Sequence, residues 1–66
     1  RSDKESLSLA LARLPEEQRQ VIVLKFFEEL TLKEIAAVCG LSLNTVASRY
    51  RYGLSKLKSL LEAKDD

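Results

Sequence analysis

The sequence predicts an all-α fold of four helices, in which the last two form a helix-turn-helix and the final helix is long. The arrangement is winged-helix-like but carries no wing. Three observations lead there. Glycine and proline occur only at Pro15, Gly40 and Gly53. No segment alternates apolar and polar residues as a half-buried strand would. Apolar residues recur instead at three- and four-residue steps along most of the 66 residues.

The spacing predicts helices over about 3–13, 15–28, 32–39 and 43–62. The first opens after Ser2, an N-cap residue, with Glu5 three positions on to complete a capping box. Leu7, Ala10, Leu11 and Leu14 form its apolar stripe. Pro15 ends it, because the residue before a proline is pushed out of the α region. The second helix opens at Pro15, which suits a first turn where its missing N–H has no partner. Glu16 and Glu17 then favour the positive end of the helix dipole. Val21, Ile22, Leu24, Phe26 and Phe27 make a broad apolar surface, which implies burial on more than one side.

Thr31 and Glu34 form a second capping box at the start of the third helix, and Gly40 stops it in a left-handed conformation. Leu32, Ile35, Ala36 and Cys39 lie on one face. Ser42 caps the fourth helix, where Val46, Tyr50, Gly53, Leu57 and Leu60 recur on the inner side and Leu54 and Leu61 widen the stripe. The tail Lys64-Asp65-Asp66 is expected to fray.

From Leu32 to Arg51 the residues have helix-turn-helix spacing. Ala36 is small enough for two helices to cross closely, Gly40 supplies the turn, and Val46 packs the second helix back on the first. The rest of the inner space falls to Ile35 and Leu41. The opposite face of the last helix then presents Asn44, Thr45, Ala47, Ser48, Arg51 and Ser55, with Arg49 and Lys58 flanking. These are short polar groups and an arginine, suited to base edges and phosphates in a major groove.

Charge agrees with that reading. Residues 1–30 carry five basic and six acidic side chains, whereas 31–66 carry six and four. Between Leu41 and Leu61 stand Arg49, Arg51, Lys56 and Lys58 and no carboxylate. A basic segment on a nearly neutral chain marks an anion-binding face or a solvated one.

The same residues exclude other classes. With no histidine and the single Cys39, there is no Cys/His metal cluster, no intramolecular disulfide and no histidine-activated nucleophile. Cys39 lies on an apolar face, as core cysteines do. No glycine-rich phosphate loop is present, so neither a cofactor nor an enzyme is expected. No apolar run reaches the roughly 20 residues that span a bilayer. The expected setting is a reducing cytoplasm. The chain begins at Arg1 and holds no methionine, so it is expected to be one domain cut from a longer protein.

Several segments together resemble region 4 of the sigma-70 family of transcription initiation factors, and the extracytoplasmic-function type most of all. Leu14-Pro15-Glu16-Glu17-Gln18-Arg19 resembles the family's LPxxxR opening, and Val21 to Phe27 its hydrophobic second helix. Thr31 to Ala36 resembles SYxEIA, and Gly40 to Arg49 resembles GxSxxTVxSR, the most specific piece. Leu54 to Leu61 matches the xxKLxxLL ending.

The resemblance implies binding to double-stranded promoter DNA at the −35 element, with the fourth helix in the major groove. It implies contacts from Leu43, Asn44, Thr45, Ser48, Arg49, Arg51 and Tyr52, and from Lys25 and Lys33 near flanking phosphates. It also implies docking on the β flap of RNA polymerase and masking by an anti-sigma factor. Three departures stand out. Ala47 replaces a basic residue, Tyr50-Arg51-Tyr52 replaces an apolar-His/Phe-Arg run, and Glu29 replaces the glycine before the third helix. That last turn needs another conformation or carries strain. Two other readings remain: the DNA-binding output domain of a LuxR-type response regulator, and a helical module that binds protein alone.

Overall fold

The computed structural model describes residues 3–62 and contains four helices: α1 (Asp3–Ala12), α2 (Glu16–Phe26), α3 (Leu32–Cys39) and α4 (Leu43–Glu62). Ser2, half of the expected first capping box, and the Lys64-Asp65-Asp66 tail lie outside the described residues. No strand occurs among the described residues.

The turns follow from local chemistry. At the end of α1, Arg13 and Leu14 donate back to Ala10 and Leu11 (both 3.1 Å), closing the last turn before Pro15. Arg19 reaches across from α2 and donates to the Ala12 carbonyl at 3.4 Å, placing a cation at the negative end of α1. Pro15 is not a first-turn residue. Its ψ of 145° makes it the N-cap, and its carbonyl accepts from Gln18 and Arg19.

The turn between α2 and α3 is built around Glu29, which takes φ 59°. Phe27 N–H bonds to Val23, Glu28 N–H also to Val23, and Leu30 N–H to Leu24. Of the two outcomes expected at this turn, a different conformation or a strained one, Glu29 keeps the left-handed conformation, which costs an L-residue energy. The Thr31 capping box closes as expected. Glu34 N–H donates to Thr31 Oγ1 (3.1 Å), and Thr31 N–H donates to a Glu34 carboxylate oxygen (2.8 Å).

Two apolar clusters make the core. Ala10, Leu11 and Leu14 meet Ile22 and Leu57 in one. Val21, Ile35, Ala36 and Val46 form the other. Tyr50 packs against both. Neighbouring Val21 and Ile22 therefore face different clusters, and α2 is buried on two sides. Phe26 and Phe27 depart from the expected burial: they are 52% and 57% exposed. The helix ends at Phe26 and the chain turns away, so no helix covers these rings, although the Phe26 ring sits 6.1 Å from that of Tyr50. Val21, Ile35 and Val46 are the large side chains most completely enclosed, each contributing about 1.5–3 kcal/mol by burial.

Helices α2 and α4 pack tightly at Gly53. A Cβ there would stand 3.2 Å from Ile22 Cγ1 and 3.3 Å from Gln18 Cβ. The 20 residues of α4 extend about 30 Å, which lets one helix pack on α1, α2 and α3 in turn.

Candidate nucleic-acid interface

Gly40 is the pivot of the site. Its φ of 68° and ψ of 35° put it in the left-handed region, where it donates to the Ala36 carbonyl. Leu41 N–H donates to the same oxygen at 2.9 Å, the bond that closes a Schellman turn. Leu41 then tucks against the second cluster beside Ile35 and Ala36. Nothing lies within 4 Å of the place a Gly40 Cβ would occupy, so the requirement for glycine is one of backbone conformation alone.

Ser42 starts α4 on the far side of this turn. Its Oγ accepts from Thr45 N–H at 3.1 Å, and its carbonyl accepts from Val46 N–H at 3.1 Å. Its hydroxyl donates to Thr45 Oγ1 at 2.9 Å. Val46 is fully enclosed against α3, which fixes the rotation of α4 about its own axis.

With that rotation set, Leu43, Asn44, Arg51, Tyr52 and Ser55 are exposed. Thr45, Ala47, Ser48 and Arg49 are half-buried. The outward face is therefore narrower than its residue types suggest. Thr45 turns its oxygen back to the Ser42 cap. Arg49 leans toward α2, where its guanidinium lies 3.9 Å from the Glu17 carboxylate. Glu17 reads in the sequence as a helix-end charge, and no spacing rule links it to Arg49. Their meeting depends on how α2 crosses α4. Arg51 instead extends over the neighbouring Tyr52, its Cζ 5.5 Å from the ring centroid. Lys25 is half-buried in the last turn of α2, and Lys33 is exposed in the first turn of α3. Neither belongs to the α4 face.

The exposed first turns of α4 carry no carboxylate. Among the described residues no group of three or more His, Cys, Asp or Glu side chains is placed to hold a metal ion. Among them, too, no helix is long and apolar enough to cross a membrane.

Comparison with known proteins adds the family. Residues 10–59 match the family described as Sigma-70, region 4. The chain is 50% identical over 52 residues to the ECF RNA polymerase sigma factor RpoE of Cereibacter sphaeroides, covering 79% of this chain and 29% of that protein. It is 42% identical over 57 residues to the RNA polymerase sigma factor SigV of Bacillus subtilis, covering 86% and 34%. It is 36% identical over 64 residues to the RNA polymerase sigma-E factor of Streptomyces antibioticus, covering 97% and 36%. The chain thus spans 29 to 36% of the length of these relatives. The matched span runs from the core of α1 through the left-handed turn at Gly40 and most of α4, and the chain belongs to the sigma-70 region 4 family.

Proposed function

We propose that this chain is the −35-reading domain of an extracytoplasmic-function sigma factor, binding double-stranded promoter DNA during transcription initiation. The observation that carries the reading is the turn at Gly40. It breaks the backbone so that the N-terminal half of α4, held to α3 by Val46 on one side, turns a carboxylate-free face with Leu43, Asn44, Arg51 and Tyr52 to the outside, a shape and charge that fit a major groove. Leu43, Asn44, Thr45, Ser48 and Arg51 face the bases and sugar-phosphate edge in this reading, and Tyr52 lies at that edge beside Arg51. Arg49 grips a phosphate from the side, and Lys25 and Lys33 act on flanking phosphates. The chain is a single binding domain of a longer protein, works without a cofactor and carries no catalytic centre of its own.

A second surface supports a protein partner. Phe26 and Phe27 are large, adjacent and more than half exposed. On this reading they dock on the β flap of RNA polymerase in the cytoplasm, and an anti-sigma factor silences the protein by covering the same rings. DNA and protein binding use different faces and coexist.

The test begins with duplexes that this chain enriches from a randomised pool, measured by fluorescence anisotropy at several salt concentrations. Neutralising four to six phosphates gives a log–log salt slope of about −4 to −5. A slope near zero, or equal affinity for enriched and shuffled duplexes, overturns the DNA-reading assignment. Phe26→Ser with Phe27→Ser leaves that slope unchanged and weakens capture of polymerase core; unchanged capture removes the rings from the docking surface.

A further inference from the structure

Positions 44, 47, 48, 51 and 55 of α4 lie on one helical stripe, exposed at 44, 51 and 55 and half-buried at 47 and 48. Its residues are Asn44, Ala47, Ser48, Arg51 and Ser55. Four are short. Arg51 is the one long side chain on the stripe, and it is exposed. Among the described residues the ion pair on α4 belongs to Arg49, which Glu17 draws sideways. The charge of Arg51 is held by a different device: its guanidinium lies 5.5 Å from the ring centroid of Tyr52, itself 61% exposed.

A cation over a ring at so open a position adds little to folding. What it does is restrict. Arginine loses much rotamer freedom when it binds, and a guanidinium already resting on a ring loses less. The planar fork presents parallel N–H donors and no acceptor, which matches the O6 and N7 acceptors of guanine in the major groove.

We propose that Tyr52 is a positioning residue that presents Arg51 to a guanine, and that this pair concentrates the sequence discrimination of α4 on one base pair. The inference rests on α4 occupying a major groove, as proposed above.

A double-mutant cycle on enriched duplexes tests it, with all four base pairs tried at each position at ~50 mM salt, where phosphate contacts keep weak binding measurable. Arg51→Ala lowers affinity for the guanine duplex by about 5- to 150-fold and flattens the preference at one position. Arg51→Lys keeps the charge and loses that preference. Tyr52→Phe keeps the ring and with it the guanine preference that Tyr52→Ala weakens. Tyr52→Ala loses about 2- to 10-fold on the guanine duplex and nothing further when Arg51 is already alanine. Arg51 and Tyr52 are exposed, so helix content by circular dichroism stays at the parent value.

Equal losses from Tyr52→Ala in both backgrounds would overturn the pairing, since Tyr52 would then act by itself. Loss of affinity by Arg51→Ala on every duplex alike would assign Arg51 to phosphate and sink the guanine target. So would the absence of any guanine-dependent position. If Asn44→Glu and Ser48→Glu, which put carboxylates on the same stripe, also leave binding unchanged, the groove-binding reading has failed and the inference falls with it.

Discussion

Two residues with left-handed backbones set the two inner turns, and their side chains differ in what that conformation costs. Gly40 takes φ 68° without penalty. Glu29 takes φ 59° and is an exposed L-residue, so its turn stores strain. Glu29→Gly is expected to raise stability by about 0.5–1 kcal/mol, the strain relieved less the extra entropy of an unfolded glycine. That corresponds to roughly 2–8 °C in the melting midpoint of a domain this size; an unchanged or lower midpoint would show the turn to be relaxed. Gly40→Val is expected to cost at least about 1–2 kcal/mol, although open space surrounds the site, because a β-branched residue fits positive φ poorly. Gly40→Asn should cost less, since asparagine tolerates that region. Equal melting of the valine and asparagine variants would contradict a purely conformational role. Arg49 and Arg51, two residues apart, illustrate how neighbours on one helix diverge: one answers to a carboxylate on another helix, the other to the ring beside it.

Among the elements, α2 and α4 define the architecture where they meet at Gly53. The space there is already tight for a single methyl group. Gly53→Leu therefore pushes the two helices apart, and the expected loss is about 1–3 kcal/mol from overpacking. Thermal melting measures it, and a parent-like midpoint would mean that α2 and α4 are less closely packed than described. What could be read from the sequence, and what could not, divides along this contact. The starts of α3 and α4 were legible because each is set by local capping chemistry: the Thr31–Glu34 box, and Ser42 as a cap that accepts a backbone N–H three positions on. The stop at Gly40 was legible because a lone glycine between apolar faces has few other uses. Pro15 reads as a first-turn residue and serves instead as the cap, a difference of one ψ angle. The exposure of Phe26 and Phe27, the Glu17–Arg49 pair and the close approach at Gly53 were not legible. The first depends on where α2 stops and the chain turns, the other two on the crossing of α2 with α4, and no local spacing encodes either. The stripe on α4 was legible in its residue types but not in its width, since half-burial of Thr45, Ala47 and Ser48 follows from the rotation that Val46 imposes.

At the scale of the whole molecule, a thin core is split in two. The 66 residues carry a net charge of +1, so long-range attraction to DNA is modest, and in the proposed reading contacts from α4 supply much of the affinity. Binding by this chain alone is expected to be weak, and linkage to a second DNA- or polymerase-binding module raises it by effective concentration. The division of the core has a mechanical meaning. Helix α1 contributes Ala10 and Leu11 to one cluster only, whereas α3 contributes Ile35 and Ala36 to the other. Amide hydrogen exchange should thus show α1 opening at lower free energy than α3 and the first turns of α4, and uniform protection across all four helices would refute the division. A pull applied at the N-terminal end should peel α1 away first and leave α3 and the first half of α4 standing, so that a force–extension trace yields in two steps rather than one.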